Sequence, residues 1–446
     1  MTRFLTVLFL VIAVGCWPPG ATTAATLIGA APAAAAADCA DDGHAGAPAG
    51  TPMYAARRAA WAHPPPCQVP DVDYPVGPDG RVKLVSPAAP GALPAGAEYD
   101  PKNHRIRCDG ASGLTFKNLD FGLVGGGGFY IASCNNVVIR NVKITWNCAS
   151  MPINQAANAS GIVIDKVWID GGGTNGAVNC SGQAGELINL QGSGAKSVTY
   201  SRIINTDQHY ITFNCTGSCT SVDRFNSFSR CGFEPGTHCN GVQWGGNFTS
   251  ANTDHNYYYN PQPDSPLATP LPASFARGSP EVVVTLPAGA AASSFLVHQS
   301  ITGTRLGGTL TIVGVNELGG SPARSKLTLS GRATSTGEGT INVLNAYPIG
   351  DTIAVRYTAQ RNSVLTNGTI IGNVFDGDGP IKGRTYAIHC STDPPPASNT
   401  RAVIRDNYIN MAGTAGLFYP AGAGNCAALT ASGNKSLDTG ATVAVR

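Results

Sequence analysis

Charge is scarce in this chain. Only 13% of its 446 residues are Asp, Glu, Lys or Arg, while Gly contributes 55 and Pro 31. So few charges beside so many turn formers argue against a helical enzyme and suit an extracytoplasmic β protein. The formal net charge is only +2, which supplies no electrostatic reason to expect nucleic acid or an anionic membrane as partner. The apolar run 4–14 is too short for a stable membrane span. Paired Cys-x-x-Cys motifs are missing, which disfavours zinc. The glycine run 125–128 has no P-loop Lys and no helical pattern after it, so it reads as a corner of the chain. Asp376-Gly377-Asp378-Gly379 lacks the further spaced oxygens of a calcium loop and reads as a turn.

What is present begins with an export pattern. Arg3 precedes the apolar run, and Ala35, Ala36 and Ala37 stand before Asp38 as an Ala-x-Ala cleavage site, so residues 1–37 read as a signal peptide. Ala13-Val14-Gly15-Cys16 is similar to a lipoprotein box, but simple export to a secreted or periplasmic location is favoured over lipidation at Cys16. Setting Cys16 aside, 12 of the 13 Cys remain, an even number that suits disulfides in an exported chain. Cys215 and Cys219, and Cys231 and Cys239, are close enough for local staples.

A degenerate unit then recurs about every two dozen residues: apolar, two polar or basic spacers, apolar. It reads Phe116-Lys117-Asn118-Leu119, Ile139-Arg140-Asn141-Val142 and Ile164-Asp165-Lys166-Val167, returns as Tyr200-Ser201-Arg202-Ile203 and Val222-Asp223-Arg224-Phe225, and reappears at Ile371-Gly372-Asn373-Val374 and Ile404-Arg405-Asp406-Asn407. A fixed period of this size signals a solenoid. β-Branched residues alternating with polar ones make each unit a strand, so the expected fold is an all-β parallel β-helix. Residues 38–104, rich in Pro and Ala, read as an extended arm and N-terminal cap, and coils run over 105–261. Residues 262–362 break the period with alternating runs such as 281–285, 309–313 and 352–356, which predicts a small antiparallel β insertion. Coils resume over 363–446.

Stacked coils bring equivalent positions to within ~4.8 Å of one another. Aligning successive strands sets Glu186 against His209, His238 and Arg384, and Gln191 against Asn214, Gln243 and His389. A carboxylate beside two imidazoles suits acid/base catalysis, because proximity tunes their pKa values. The same trio suits a divalent metal, calcium or another, through His nitrogen and Glu oxygen. Asp207 and Asn240 extend the cluster. Trp244 and Tyr257, within the run 257–259, offer apolar faces for stacking on sugar rings, with Asp254 and His255 close by in sequence. The competing reading of the ladder is an exposed polar stripe without chemistry.

The repeated apolar-x-Asn-apolar turns resemble the pectate-lyase-like superfamily of right-handed parallel β-helix proteins, over about residues 105–260 and 362–440. That resemblance implies a right-handed solenoid and a polysaccharide bound in a groove along the stacked strands. Asn205-Thr206-Asp207 looks like the first motif of polygalacturonases, whose Asp-Asp, Gly-His-Gly and Arg-Ile-Lys motifs are absent here. Thr237-His238-Cys239-Asn240-Gly241-Val242-Gln243 is similar to a His-x-Asp-Gly-(Ile/Val)-Gln strand, with Asn240 in place of the Asp. The expectation is an exported protein that binds a polysaccharide. As an enzyme it would cleave by elimination in preference to hydrolysis, because hydrolysis calls for two carboxylates and only Glu186 and Asp207 offer a pair. Arg384 would then neutralise a substrate carboxylate. The alternative is a non-catalytic surface or matrix protein that displays its β insertion.

Overall fold

A computed structural model describes residues 61–65, 69–147, 151–171, 186–206, 209–231, 239–259, 270–287, 295, 300–344, 352–359, 367–376, 385–392, 401–409, 418–420 and 428–444. The signal and lipoprotein sites lie outside them. The chain is all-β and divides into a 23-stranded, mostly parallel sheet and a closed six-stranded barrel.

The parallel sheet arises from one local device. In Asn135–Thr145, Val137 and Ile139 are buried, and beyond Asn141 the buried set becomes Val142 and Ile144. Strict alternation would expose one of these pairs. Asn141 has φ 56°, a left-handed residue that shifts the phase by one and bends the strand, so both halves turn their apolar residues inward. Lys166 does the same in Ser160–Asp170, burying Ile162 and Ile164 before it and Val167 and Ile169 after it.

The pairings stack these bends on one another. Phe116 pairs with Ile139, Ile139 with Ile164, and Ile164 with Val198. The same register continues through Asp223, Thr253, Ile370, Ile404 and Ala431. Two residues further along, every rung carries positive φ: Asn118, Asn141, Lys166, Tyr200, Phe225, His255, Gly372, Asp406 and Gly433. The units read at Phe116, Ile139, Ile164 and Ile404 are therefore in frame. Those at Tyr200, Val222 and Ile371 are out of frame by two, one and one residues.

The residue after each left-handed position points inward. In the first rungs it is Leu119, Val142 and Val167; then come Ser201 and the buried amides Asn226, Asn256, Asn373, Asn407 and Asn434. Each amide accepts a backbone N–H from the rung before it, as Asn256 N–H donates to Asn373 Oδ1 at 2.9 Å. Each also donates back, as Asn373 Nδ2 does to the Thr253 carbonyl at 3.2 Å. Satisfied in this way, the amides are tolerated in the core. Beside them Phe228, Tyr258 and Phe375 stack at 4.9 and 5.2 Å.

The arm runs back along this stack. His63 bonds to Leu437, the Tyr74 hydroxyl to the His255 carbonyl, Gly77 to Tyr200, and Val85 to Asn118. Asp71 forms a buried ion pair with Arg202, whose guanidinium lies 5.3 Å from the Trp168 ring centroid. Ala97–Asp100 adds an antiparallel strand to Arg105–Asp109 at the first rung. Among the described residues, Cys108–Cys134 ties the strand Arg105–Asp109 to the end of the following rung, and Cys215–Cys219 closes an irregularity within the strand His209–Arg224; the side chains of Cys231 and Cys239 lie outside the described residues.

The barrel runs from Leu271–Phe275 to Gly337–Leu344 and has its own core, including Leu271, Val282, Val284, Ile312, Leu327 and Ile341. The strand Thr352–Ala359, expected within the insertion, pairs in parallel with both Cys239–Asp254 and Thr385–Thr392. It is a rung of the main sheet, so the stack resumes at Thr352, ahead of the expected boundary at 363.

Candidate functional site

All three residues of the short strand Ile188–Leu190 are buried, with Ile188 and Leu190 on one face and Asn189, 6% exposed, on the other, as a period of two requires. Ile188 pairs with Ile153 below and Ile211 above, and Ile211 pairs with Val242. Asn189 therefore stands in a column with Tyr130, Asn154, Thr212 and Gln243. Two residues on, Gln191 and Asn214 occupy the same face, and Asn214 Nδ2 lies 3.5 Å from Asn189 Oδ1. The outcome is an amide- and hydroxyl-lined strip crossing several rungs.

Glu186 sits at the edge of this strip. A bend at Leu187 separates it from the strand, so simple alternation does not govern it and its carboxylate comes round to Asn189, which donates at 2.8 Å. Burial pushes the carboxyl above its ordinary range, and the Asn189 bond offsets only part of that rise. A carboxyl held toward its protonated form beside a polar strip is equipped to give and retake a proton.

The register changes the predicted ladder. His209 precedes Ile211 by two residues, as Glu186 precedes Ile188, but the two rungs pair only over Ile211–Phe213 and Ile188–Leu190, and the bend at Leu187 takes Glu186 out of that register. His209, however, pairs with Asn240. The expected neighbour His238 lies two residues earlier, outside the described residues, and Asn240 takes its place. Asn240 is fully buried and donates to Gln243 Oε1 at 2.9 Å. Gln243 stands opposite Thr212, not Asn214, which pairs with Gly245. His389 falls in the Gln243 column through Arg356. Asp207 and Arg384 lie outside the described residues, as does the side chain of His209. Among the described residues no group of three or more His, Cys, Asp or Glu is arranged to hold a metal ion.

Four candidates sit elsewhere. Trp244 points into the core, stacked 5.9 Å from Phe213 and donating to Ser221 Oγ at 2.6 Å, so it presents no face to a sugar. Tyr257 is buried beneath the arm, 6.0 Å from Trp61, and donates to Asp376 Oδ2. It too is a packing residue. Asp376 ends the strand Val374–Asp376. Asp254 and His255 belong to the bend on another side of the stack. Asp254 accepts from Arg224 at 2.7 Å and bonds the His255 ring, which stacks on Phe225 at 5.3 Å. Burial pushes the Asp254 carboxyl up, but the His255 bond and the Arg224 charge outweigh it and hold the group below its usual range. These contacts tie rungs together.

The sequence reading passed over Asn154, Asn189 and Thr212, which a period-two reading of each short strand would have exposed. It also passed over Asp223, a carboxyl buried in the core among Asn226, Thr253, Asn256 and Tyr258. No protein-family model matches the chain, and no curated protein is detectably similar to it in sequence.

Proposed function

We propose that this chain is an exported right-handed parallel β-helix, of the pectate-lyase-like kind, that binds a polysaccharide along its amide-lined strip and cleaves it with Glu186 as the proton-transfer group. The column of amides and hydroxyls from Asn154 through Asn189 and Thr212 to Gln243, the middle two buried, with the burial-raised Glu186 carboxyl at its edge, carries this reading. Sugar hydroxyls both donate and accept, as amides do. Two disulfides support an oxidising, secreted or periplasmic setting, and among the described residues no helix is long and apolar enough to cross a membrane. The small net charge supports a partner other than nucleic acid.

The test is incubation of the purified protein with a polysaccharide panel, with calcium or with EDTA, following ultraviolet absorbance and new reducing ends. Elimination yields both signals and hydrolysis only the second. Glu186→Gln is expected to lower turnover by at least 100-fold, the scale of a lost general acid or base, with glycan retention preserved. A full-rate Glu186→Gln variant would remove Glu186 from the chemistry. The separate core of the barrel favours a second reading, display of that module to a partner. Glycan-independent function that is lost when the barrel is excised would support it.

A further inference from the structure

We infer that the barrel is a second binding module, one end of which takes an acidic polysaccharide; the choice of a glycan among anions rests on the polysaccharide reading above, while the anion site itself does not. The strand register defines that end. The chain enters the barrel at Leu271 and leaves it at Leu344, which pair with Ile341 and Ser300 at one end. Phe275 pairs with Gly337 at the other end, where the loops 276–280, 304–309 and 330–336 emerge together. Each of the three loops carries one Arg, namely Arg277, Arg305 and Arg332, and none carries Lys, Asp or Glu. Arg277 and Arg332 are exposed and Arg305 is half-buried.

Hydrogen bonds knit these loops into one surface. Gly278 N–H donates to the Ala333 carbonyl, Ala333 N–H to the Ser279 carbonyl and Thr334 N–H to the Arg305 carbonyl, each at 2.9 Å. Arg277 N–H donates to Thr336 Oγ1 at 2.9 Å. On this frame two guanidinium groups are held by neutral acceptors. Arg305 donates from Nε to the Glu338 carbonyl at 2.8 Å and from Nη1 to Ser335 Oγ at 3.0 Å, and Arg332 donates from Nη1 to the Gly278 carbonyl at 2.7 Å. The flanking acids are engaged elsewhere: Glu281 pairs with Lys326 at 2.9 Å, and Glu338 accepts from the Ser274 hydroxyl at 2.7 Å. Among the described residues no ion pair involves Arg277, Arg305 or Arg332. Guanidinium groups that are positioned and uncompensated in this way suit an anion, and their planar fork matches a carboxylate or a sulfate. Ser279, Thr334, Ser335 and Thr336, in the same loops, add hydroxyls that can donate to and accept from a sugar. The loops hold no aromatic residue on which a nucleic-acid base could stack. Their three cations also fall short of the cluster of about four to eight that draws a protein to an anionic membrane.

The experiment is affinity electrophoresis of the full protein, with EDTA, in gels containing polygalacturonate, alginate or a sulfated galactan and in gels containing xylan or mannan. Cosedimentation with duplex DNA and with phosphatidylserine vesicles runs beside it. Retention by an acidic glycan is expected, weaker at about 500 mM salt than at about 50 mM and steady from about pH 6 to about pH 9, because guanidinium keeps its charge. Arg277→Gln, Arg305→Gln and Arg332→Gln should each weaken retention roughly threefold, the scale of an exposed charge pair, and together roughly 30-fold as independent sites. Arg277→Gln breaks no side-chain bond among the described residues, so it reads the site even if the other two variants fail to fold. Arg324 starts a strand at the opposite end, paired with Thr285 and Gly319, so Arg324→Gln removes the same charge there and should leave retention unchanged. An equal loss in Arg324→Gln, or none in the triple variant, would refute the site. Retention by neutral glycans alone would overturn the inference and leave the polysaccharide reading standing. Binding to DNA or vesicles without retention by an acidic glycan would overturn the choice of partner. Absence of retention in every gel by folded protein would overturn both this inference and the polysaccharide reading.

Discussion

Asp223 offers the sharpest test of the interior. Its carboxyl is fully buried and accepts from Asn226 Nδ2 at 2.6 Å, Thr253 Oγ1 at 2.9 Å, Asn256 Nδ2 at 3.2 Å and the Tyr258 hydroxyl at 3.3 Å. Despite those donors, burial lifts its pKa from 3.8 to about 7. The unfolded chain releases this proton near 3.8 and the folded chain holds it to about 7, so between those values the folded state binds more protons. Stability from this group is therefore greatest in acid, falls as pH rises through the window, and is flat above it. The gap corresponds to ~4 kcal/mol. Asp223→Asn keeps a neutral group of the same shape and sacrifices chiefly the Asn256 contact, a loss of about 1 kcal/mol. Urea unfolding followed by fluorescence with the disulfides intact should find the variant less stable by up to about 1 kcal/mol near pH 4 and more stable by about 3 kcal/mol near pH 8. Glu186 is shifted in the same direction, so the difference between the two proteins, not the wild-type slope, isolates Asp223. A gap that stays constant from pH 4 to pH 8 would refute a buried, protonated Asp223.

Asn373→Leu removes the acceptor of Asn256 N–H and the donor to the Thr253 carbonyl. It should cost about 2–5 kcal/mol by leaving both buried groups unpaired, and a loss below about 1 kcal/mol would show that the amide column is dispensable. Trp244→Ala should lower stability by about 3–5 kcal/mol, as cavity formation does; loss of glycan retention without a fall in melting temperature would return that ring to the surface. Replacing Cys108 and Cys134 by Ser opens a closure of 26 residues, against 4 for Cys215 and Cys219. The losses expected from chain entropy are ~3.5 and ~2 kcal/mol, and the reverse ranking of melting temperatures would contradict that account.

The all-β class and its stacking were legible in the sequence where the interior is aliphatic. Phe116, Ile139 and Ile164 share a frame because each rung buries the same kind of residue at the same place, so an apolar template finds them. The template slipped at Tyr200, Val222 and Ile371, where the inward position had passed from Val167 to Ser201 and then to the amide column. An Asn is a core residue only when the next rung supplies its partners, and no local pattern reports that. The site shows the same division. Strand spacing alone set Glu186 beside His209, but the bend at Leu187 breaks that register, and the next rung is offset by 31 residues, from His209 to Asn240, which sets Asn240 where His238 was expected.

Burial of the aromatics was likewise out of reach of local patterning. Trp244 is covered by Phe213 from the rung below, and Tyr257 by Trp61 on an arm that returns from far along the chain. Composition and period by themselves determined that this chain is a repeating β protein with an interrupting β module, because turn formers and alternation act within a few residues. Only the tertiary structure decided which polar residues face the core, which form the amide and hydroxyl column and where the stack resumes at Thr352. Those outcomes depend on contacts between rungs and on the arm, and residues as far apart in sequence as Trp61 and Tyr257 have no shared signature until the backbone brings them together.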